Sequence, residues 1–338
     1  MLPETASIPQ TNARLTGDAS LAIHVDGNRL VNAMGAALVL RGVNFSGAQY
    51  QCAGSSGSVW DTPADAQAIR AMQLWHVNAV RIPLNEDCWL GINGLPRGYS
   101  AAVYRTAIRT FVNQLHAAGM YVLLNLHVVA PGTQRSIDEL PMADADHAPS
   151  FWYSVARTFV GDPAVIFDLY NEPKGIGWAC WLHGCQASYR IAGMQMLLDA
   201  VREAGARQPV MSDGINYAND LSQWLQHQPA DPLRQIAAGF HTYDDGLGCE
   251  DPSCWKATVA ALAQRVPVVS GEIGEFDCGH TFVDQYMSWA DAHGVSYLAW
   301  AWNTYSCAAE PSLLSTLAGS PSAYGAGVYA HLRSFPQS

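Results

Sequence analysis

A closed (β/α)8 TIM barrel of the α/β class, preceded by a short N-terminal β-hairpin, is the fold this chain predicts. Three observations carry it. Eight short runs rich in β-branched residues recur along the 338 residues. Longer helical patterns separate them. The runs are almost continuously apolar, as strands covered on both faces are. Eight such beats close a barrel rather than extend an open sheet, and single barrels of this size are common.

Residues 1–20 are polar and Pro-containing and read as an irregular leader, leaving 21–338 as a single catalytic domain. Ile23-His24-Val25 and Leu30-Val31 flank Asp26-Gly27-Asn28, a strong hairpin signal. A second turn, from Asn32 to Gly35, leads into Leu38-Val39-Leu40. Barrel strands are then expected at 38–43, 79–82, 122–126, 165–170, 210–212, 237–240, 268–270 and 297–300. Helical patterns fill 64–74, 104–118, 152–160, 188–204, 255–264 and 282–292. Pro63 stands where a helix start tolerates proline, and Gly119, Gly205 and Gly294 stand where helix ends favour glycine. The least regular segment is 213–236.

Apolar residues make up 49% of the chain and charged residues 14%, so a large core is available and disorder is not expected. The formal net charge of −11 argues against nucleic acid or an anionic membrane as partner. No apolar run approaches the roughly 18 residues of a membrane span. The eight cysteines, at 52, 88, 180, 185, 249, 254, 278 and 307, form no Cys-x-x-Cys and no zinc-finger spacing. Their even number and loop placement favour disulfides and an oxidising compartment. Cys180 with Cys185 and Cys249 with Cys254 are short-range couples. Cys52 with Cys88 and Cys278 with Cys307 would be the pairs left over, although connectivity stays open. Met1-Leu2-Pro3-Glu4 has neither a basic nor an apolar signal region, which suggests a mature secreted sequence carrying an added start Met. The expected state is a secreted, extracellular monomer with no cofactor.

In a β/α barrel the chemistry sits at the C-terminal strand ends. There the sequence places Arg81-Ile82-Pro83, Asn125-Leu126-His127, Asn171-Glu172-Pro173, His241-Thr242-Tyr243, Gly271-Glu272-Ile273-Gly274 and Trp300-Ala301-Trp302-Asn303. Glu172 and Glu272 end the fourth and seventh strands, on opposite sides of the mouth. Glycoside cleavage needs one protonated carboxyl for the leaving group and one ionised carboxylate to attack the anomeric carbon. Arg81 would keep the nucleophile ionised, and Tyr243 could donate to the same group. Asn171 is placed to grip a sugar 2-hydroxyl, and Trp302 to floor the site by stacking. Alone, His127 and His241 could equally be satisfied core histidines. Glu275 competes with Glu272, and Trp300 with Trp302. Trp60, Trp89, Trp178, Trp181 and Trp255 read as loop packing with sugar stacking open to them. Asp87, Asp244 and Asp245 read as solvated or capping residues, and no metal-ligand spacing appears.

From about Gly27 to about Asn303 the chain resembles glycoside hydrolase family 5, the cellulase-type members of clan A. Leu40-Arg41-Gly42-Val43-Asn44-Phe45 looks like that family's first-strand motif. Arg81, His127, Asn171, Glu172, His241, Tyr243, Glu272 and Trp302 then follow in the family's order. The resemblance implies Glu172 as acid/base, Glu272 as nucleophile and the other six as substrate-binding residues. It implies endo-acting, retaining hydrolysis of a β-linked polysaccharide, foremost a β-1,4-glucan. Mannan, xyloglucan, a galactan or an aryl glycoside on the same machinery are the alternatives, with an inactive carbohydrate-binding barrel behind them. Asn85-Glu86-Asp87-Cys88-Trp89-Leu90-Gly91 departs from the cellulase pattern and leaves the glycan open.

Overall fold

Two tight turns open the described chain, which in the computed structural model comprises residues 21–54, 58–96, 99–307 and 309–336. The expected leader at 1–20 lies outside these residues. Strands β1 (Ile23–Asp26), β2 (Arg29–Asn32) and β3 (Ala37–Leu38) form an antiparallel meander, turned by Gly27 at φ 61° and Gly35 at φ 75°. Its apolar side, Ile23 and Leu30, packs on Leu40, Ala79, Tyr121, Ile166 and Leu298. Most of these lie before or within the first two residues of barrel strands, so the meander plugs the end of the barrel opposite the polar strand tips.

The barrel itself consists of β4 (Arg41–Asn44), β5 (Ala79–Asn85), β6 (Tyr121–Val128) and β7 (Val165–Asp168), continued by β10 (Val210–Asp213), β11 (Ile236–Tyr243), β12 (Val268–Gly274) and β13 (Ser296–Ala299). All pairings in it are parallel, and β13 closes on β4 through Tyr297 opposite Arg41. Between β7 and β10 lies a two-stranded ribbon, β8 (Cys185–Gln186) with β9 (Arg190–Ile191). The expected first strand, 38–43, is two elements. Leu38 ends the meander, Arg41 begins the barrel, and the Leu40 N–H between them donates to Ser296 Oγ at 2.9 Å.

Helices Ala66–Leu74, Ala101–Ala117, Ala148–Phe159, Met194–Glu203 and Thr281–His293 cover the barrel. Asp65 and Ser100 cap the first two by accepting from backbone N–H groups of the first turn. Gly294, at φ 67°, ends the last of these. The helix expected at 188–204 starts only at Met194, because the residues before it form the ribbon. A further helix, Ala323–Leu332, was not expected. Its Gly325 is required by packing, since a Cβ there would lie 1.9 Å from Leu313 O.

All eight cysteines pair, as Cys52–Cys88, Cys180–Cys185, Cys249–Cys254 and Cys278–Cys307. Thiol titration of the denatured, unreduced protein should therefore find none; eight reactive thiols would contradict the pairing. In the chain-entropy picture the 36-residue separation of Cys52–Cys88 contributes about 4 kcal/mol, and the 5-residue separation of Cys180–Cys185 about 2 kcal/mol.

Candidate active site

Arg81, on β5 and fully buried, organises the barrel mouth. Its Nε donates to Asp168 Oδ2 at 2.8 Å, Nη1 to Asn44 Oδ1 at 3.0 Å and Glu272 Oε1 at 2.6 Å, and Nη2 to Asn171 Oδ1 at 2.9 Å. Four side chains from three chain segments thus converge on one guanidinium fork, whose planar donors fix their relative positions. Asn125 Nδ2 donates to the same Asp168 Oδ2 at 2.9 Å.

Glu272 leaves β12 where the pairing slips, and the slip between Phe240 and His241 sets His241 opposite Glu272. A bulge of this kind re-aims side chains at a barrel rim. Glu272 Oε2 accepts from Tyr243 Oη at 2.6 Å, so both its oxygens are held. Glu172 sits at φ 49°, a left-handed conformation that costs a non-glycine residue energy and is characteristic of functional positions. Its Oε1 accepts from His241 Nδ1 at 3.0 Å. Carboxylate oxygens of Glu172 and Glu272 come within 4.8 Å of each other across the cleft.

The surroundings of the two carboxyls push them apart. Burial raises Glu172, the His241 hydrogen bond opposes this, and the negative charge of Glu272 raises it further; the balance is upward. Burial would raise Glu272 too, but the charges of His241 and Arg81 with the Tyr243 hydrogen bond outweigh it and hold it low. His241 is itself pushed up to about 9. Burial lowers it, but Glu272, Asp213 and the bond to Glu172 prevail. A carboxyl pushed towards its protonated form facing one held towards its ionised form is the arrangement that acid-assisted nucleophilic attack requires.

The cleft has a volume of about 280 Å³ and is lined by His127, Asn171, Glu172, His241, Tyr243 and Glu272 among others. Seven of the eight expected site residues therefore meet at one place, the seventh being Arg81 beneath them. Trp302 does not, and its expected stacking role is corrected. It is only 1% exposed and packs edge-on against Trp75 at 4.9 Å. Trp300 lines the cleft instead, its ring nearly parallel to His127 at 5.6 Å. Trp300→Ala should lower kcat/KM by roughly tenfold, the scale of an aromatic stack. Trp302→Ala should instead destabilise the fold by about 3–5 kcal/mol. Thermal unfolding and kinetics of the pair check this; a stable Trp302→Ala with poor activity would reverse the assignment.

Glu275 is not a rival nucleophile in this geometry. Its two oxygens accept from the N–H groups of Thr281 and Val283, at the start of a helix. Trp89, Trp181 and Trp255 are fully buried, Trp178 nearly so, and Trp60 packs on Phe45 and Phe111. Asp87 is buried rather than solvated, accepting from Ser136 N at 2.8 Å and Asn93 Nδ2 at 2.9 Å. Asp244 and Asp245 accept from the N–H groups of Phe276 and Leu247. Residues that sequence reasoning did not single out also line the cleft: Glu139, Tyr217, Phe276 and Glu310. Glu139 contacts His127 Nε2 at 3.3 Å and Lys174 Nζ at 3.1 Å. Burial would raise its carboxyl, but His127 and Lys174 prevail and hold it at about 2.

Residues 43–306 match the model of the Cellulase family, glycosyl hydrolase family 5. Among its relatives, Endoglucanase MaCel5A of Microbulbifer sp. (strain ALW1) is 26% identical over 307 residues, covering 85% of this chain and 54% of that protein. A mannan endo-1,4-beta-mannosidase of Streptomyces lividans is 24% identical over 294 residues, covering 84% and 67%. The chain thus spans about half to two thirds of these proteins. The beta-glucanase SdGluc5_26A of Saccharophagus degradans superposes with a TM-score of 0.72 at 18% identity, covering 98% of each chain. The catalytic domain of Thermobifida fusca endoglucanase Cel5A gives 0.63 at 16%, over 93% of this chain and 98% of that one. Those structural likenesses establish the same barrel, and the match across most of the described residues establishes the lineage: the chain belongs to glycosyl hydrolase family 5.

Proposed function

We propose that this chain is a retaining, endo-acting β-glycoside hydrolase whose main substrate is a β-1,4-glucan. The observation that carries it is the pair Glu172 and Glu272, with carboxylate oxygens within 4.8 Å and with their carboxyls shifted in opposite directions, Glu172 up and Glu272 down. So close an approach of their oxygens suits the roughly 5–5.5 Å carboxyl spacing of retaining pairs better than the wider gap an inverting enzyme needs to admit water between its carboxyls. Glu272 attacks the anomeric carbon as Glu172 protonates the departing oxygen, giving a glycosyl ester on Glu272. Glu172, now a carboxylate, takes a proton from water, and the hydroxide cleaves the ester with net retention.

The other residues serve these two steps. Arg81 and Tyr243 hold the attacking carboxylate in place and ionised. Arg81 occupies the Asn171 oxygen, which leaves the amide N–H groups of Asn171 to donate to a sugar 2-hydroxyl. Trp300 offers a ring face to a bound sugar. MaCel5A and four further relatives are named endoglucanases, and SdGluc5_26A has been solved with cellotetraose, which favours a glucan. Relatives named as mannan endo-1,4-beta-mannosidases give mannan the second place. Four disulfides support an exported protein, and we read it as a monomer acting on a soluble or fibrous polysaccharide. A reducing-end assay across β-glucan, mannan, xyloglucan and galactan tests the proposal. Fastest release is expected from β-1,4-glucan; release from none would favour an inactive binding barrel.

A further inference from the structure

Away from the cleft, three side chains converge where no part of the mechanism needs them. Glu86 follows β5, Asp144 lies in the loop after β6, and His147 immediately precedes helix Ala148–Phe159. Their ligating atoms all lie within 4.8 Å of one another. Both carboxylates are fully buried, at 0% exposure. Glu86 Oε2 accepts from Ala130 N at 3.2 Å, and Asp144 Oδ1 accepts from His147 N at 2.8 Å and Asp146 N at 3.2 Å. Their second oxygens, Glu86 Oε1 and Asp144 Oδ2, accept from no N–H or hydroxyl group among the described residues, and the two carboxyls reach each other only by sharing a proton. Neither forms an ion pair with lysine or arginine among those residues. The one basic group at hand is His147, whose Nδ1 lies 3.9 Å from Glu86 Oε2 and 3.7 Å from Asp144 Oδ1.

Two carboxylates buried side by side without a cation are costly, because desolvation and mutual repulsion add. Something positive belongs between them, either a proton shared by the pair or a metal ion. A shared proton would not call for a third donor. Here an imidazole completes the triangle, and the Ala130 carbonyl stands 3.2 Å from its Nδ1. We propose that Glu86, Asp144 and His147 form a structural binding site for a divalent ion of the zinc or manganese type. Two carboxylate oxygens and one imidazole nitrogen suit such ions, with a carbonyl or water completing the shell. Calcium would want six to eight oxygens, which the site does not offer.

The ion would tie the end of β5 to the loop following β6 and to the start of the next helix. That loop also carries Glu139 to the cleft rim, so the site would brace one wall of the cleft without touching the reacting atoms. Short-range sequence spacing gives no hint of it, since Glu86 is 58 positions before Asp144 and on a different strand end.

The test uses the full wild-type chain. Stripped with EDTA, dialysed and titrated with ZnCl2 or MnCl2 in a calorimeter, it should take up one equivalent, with Tm rising as the site fills. His147→Ala should weaken that binding by more than the roughly 10–100-fold that losing an outer-shell partner costs. Glu86→Gln and Asp144→Asn should lose the Tm response altogether. Wild-type protein that binds neither ion, with the same Tm in EDTA and in ZnCl2 or MnCl2, would overturn the proposal in favour of a shared proton, whatever the variants do.

Discussion

Glu272→Gln is expected to abolish turnover on every substrate, with a loss on the order of 10⁶-fold in kcat, the scale seen when a nucleophile is removed from another covalent mechanism. The amide keeps the shape and can still meet Arg81 Nη1 and Tyr243 Oη, which now hold both carboxylate oxygens. It cannot form the glycosyl ester. No leaving group, however good, escapes the requirement, so aryl glycosides and polysaccharides should lose activity alike. Glu272→Ala opens room for azide, which can attack the anomeric carbon directly from the vacated side and give a product of inverted configuration. Substantial activity of Glu272→Gln on an activated aryl glycoside would remove Glu272 from the nucleophile role.

Glu172→Gln is expected to discriminate between substrates. With a sugar leaving group, loss of the acid should cost about 10²–10⁴-fold, the range of general acid catalysis. With a nitrophenyl group, which leaves without a proton, formation of the glycosyl-enzyme should be far less affected. Azide should rescue Glu172→Ala with retained configuration, because it attacks the covalent intermediate without needing a base. The wild-type pH profile follows from the two shifts. Glu272 must be ionised, and it is held below the usual range, so the acid limb should lie at low pH. Glu172 must be protonated, and it is raised, so the alkaline limb should lie above the ordinary carboxyl range. The limbs belong to the interacting pair, and Glu172→Gln should remove the alkaline one. An unchanged alkaline limb in that variant would detach it from Glu172.

Much of this is legible in the amino-acid sequence, for a physical reason. Barrel strands are covered on both faces, so segments such as 165–167 (Val-Ile-Phe) read as unbroken apolar runs, and the polar residues that follow them are expected to face the mouth. Glu172 and Glu272 were found that way. The split of 38–43 was hidden because Leu38 and Val43 are equally apolar, although one packs below the barrel and the other within it. The helix Ala323–Leu332 was hidden by Gly325 and Gly327, which lower helix propensity but fit close packing. Trp300 and Trp302 stand two apart, and a continuing strand would give them one face. The chain instead leaves β13 at Ala299, and Trp302 N turns back to Asn44 O at 2.7 Å, sinking its ring against Trp75. Glu139 and Tyr217 came from loops, where no period announces which side chain will reach the cleft.

The central claim is covalent chemistry between two closely spaced glutamates, and the anomeric configuration of the first product tests it most directly. Proton NMR during early hydrolysis of a soluble β-glucan by the wild type should show the β-anomer first, with the α-anomer growing only as mutarotation proceeds. Appearance of the α-anomer first would mean single-step inversion with water between the carboxyls, and would contradict the assignment of Glu272 as nucleophile.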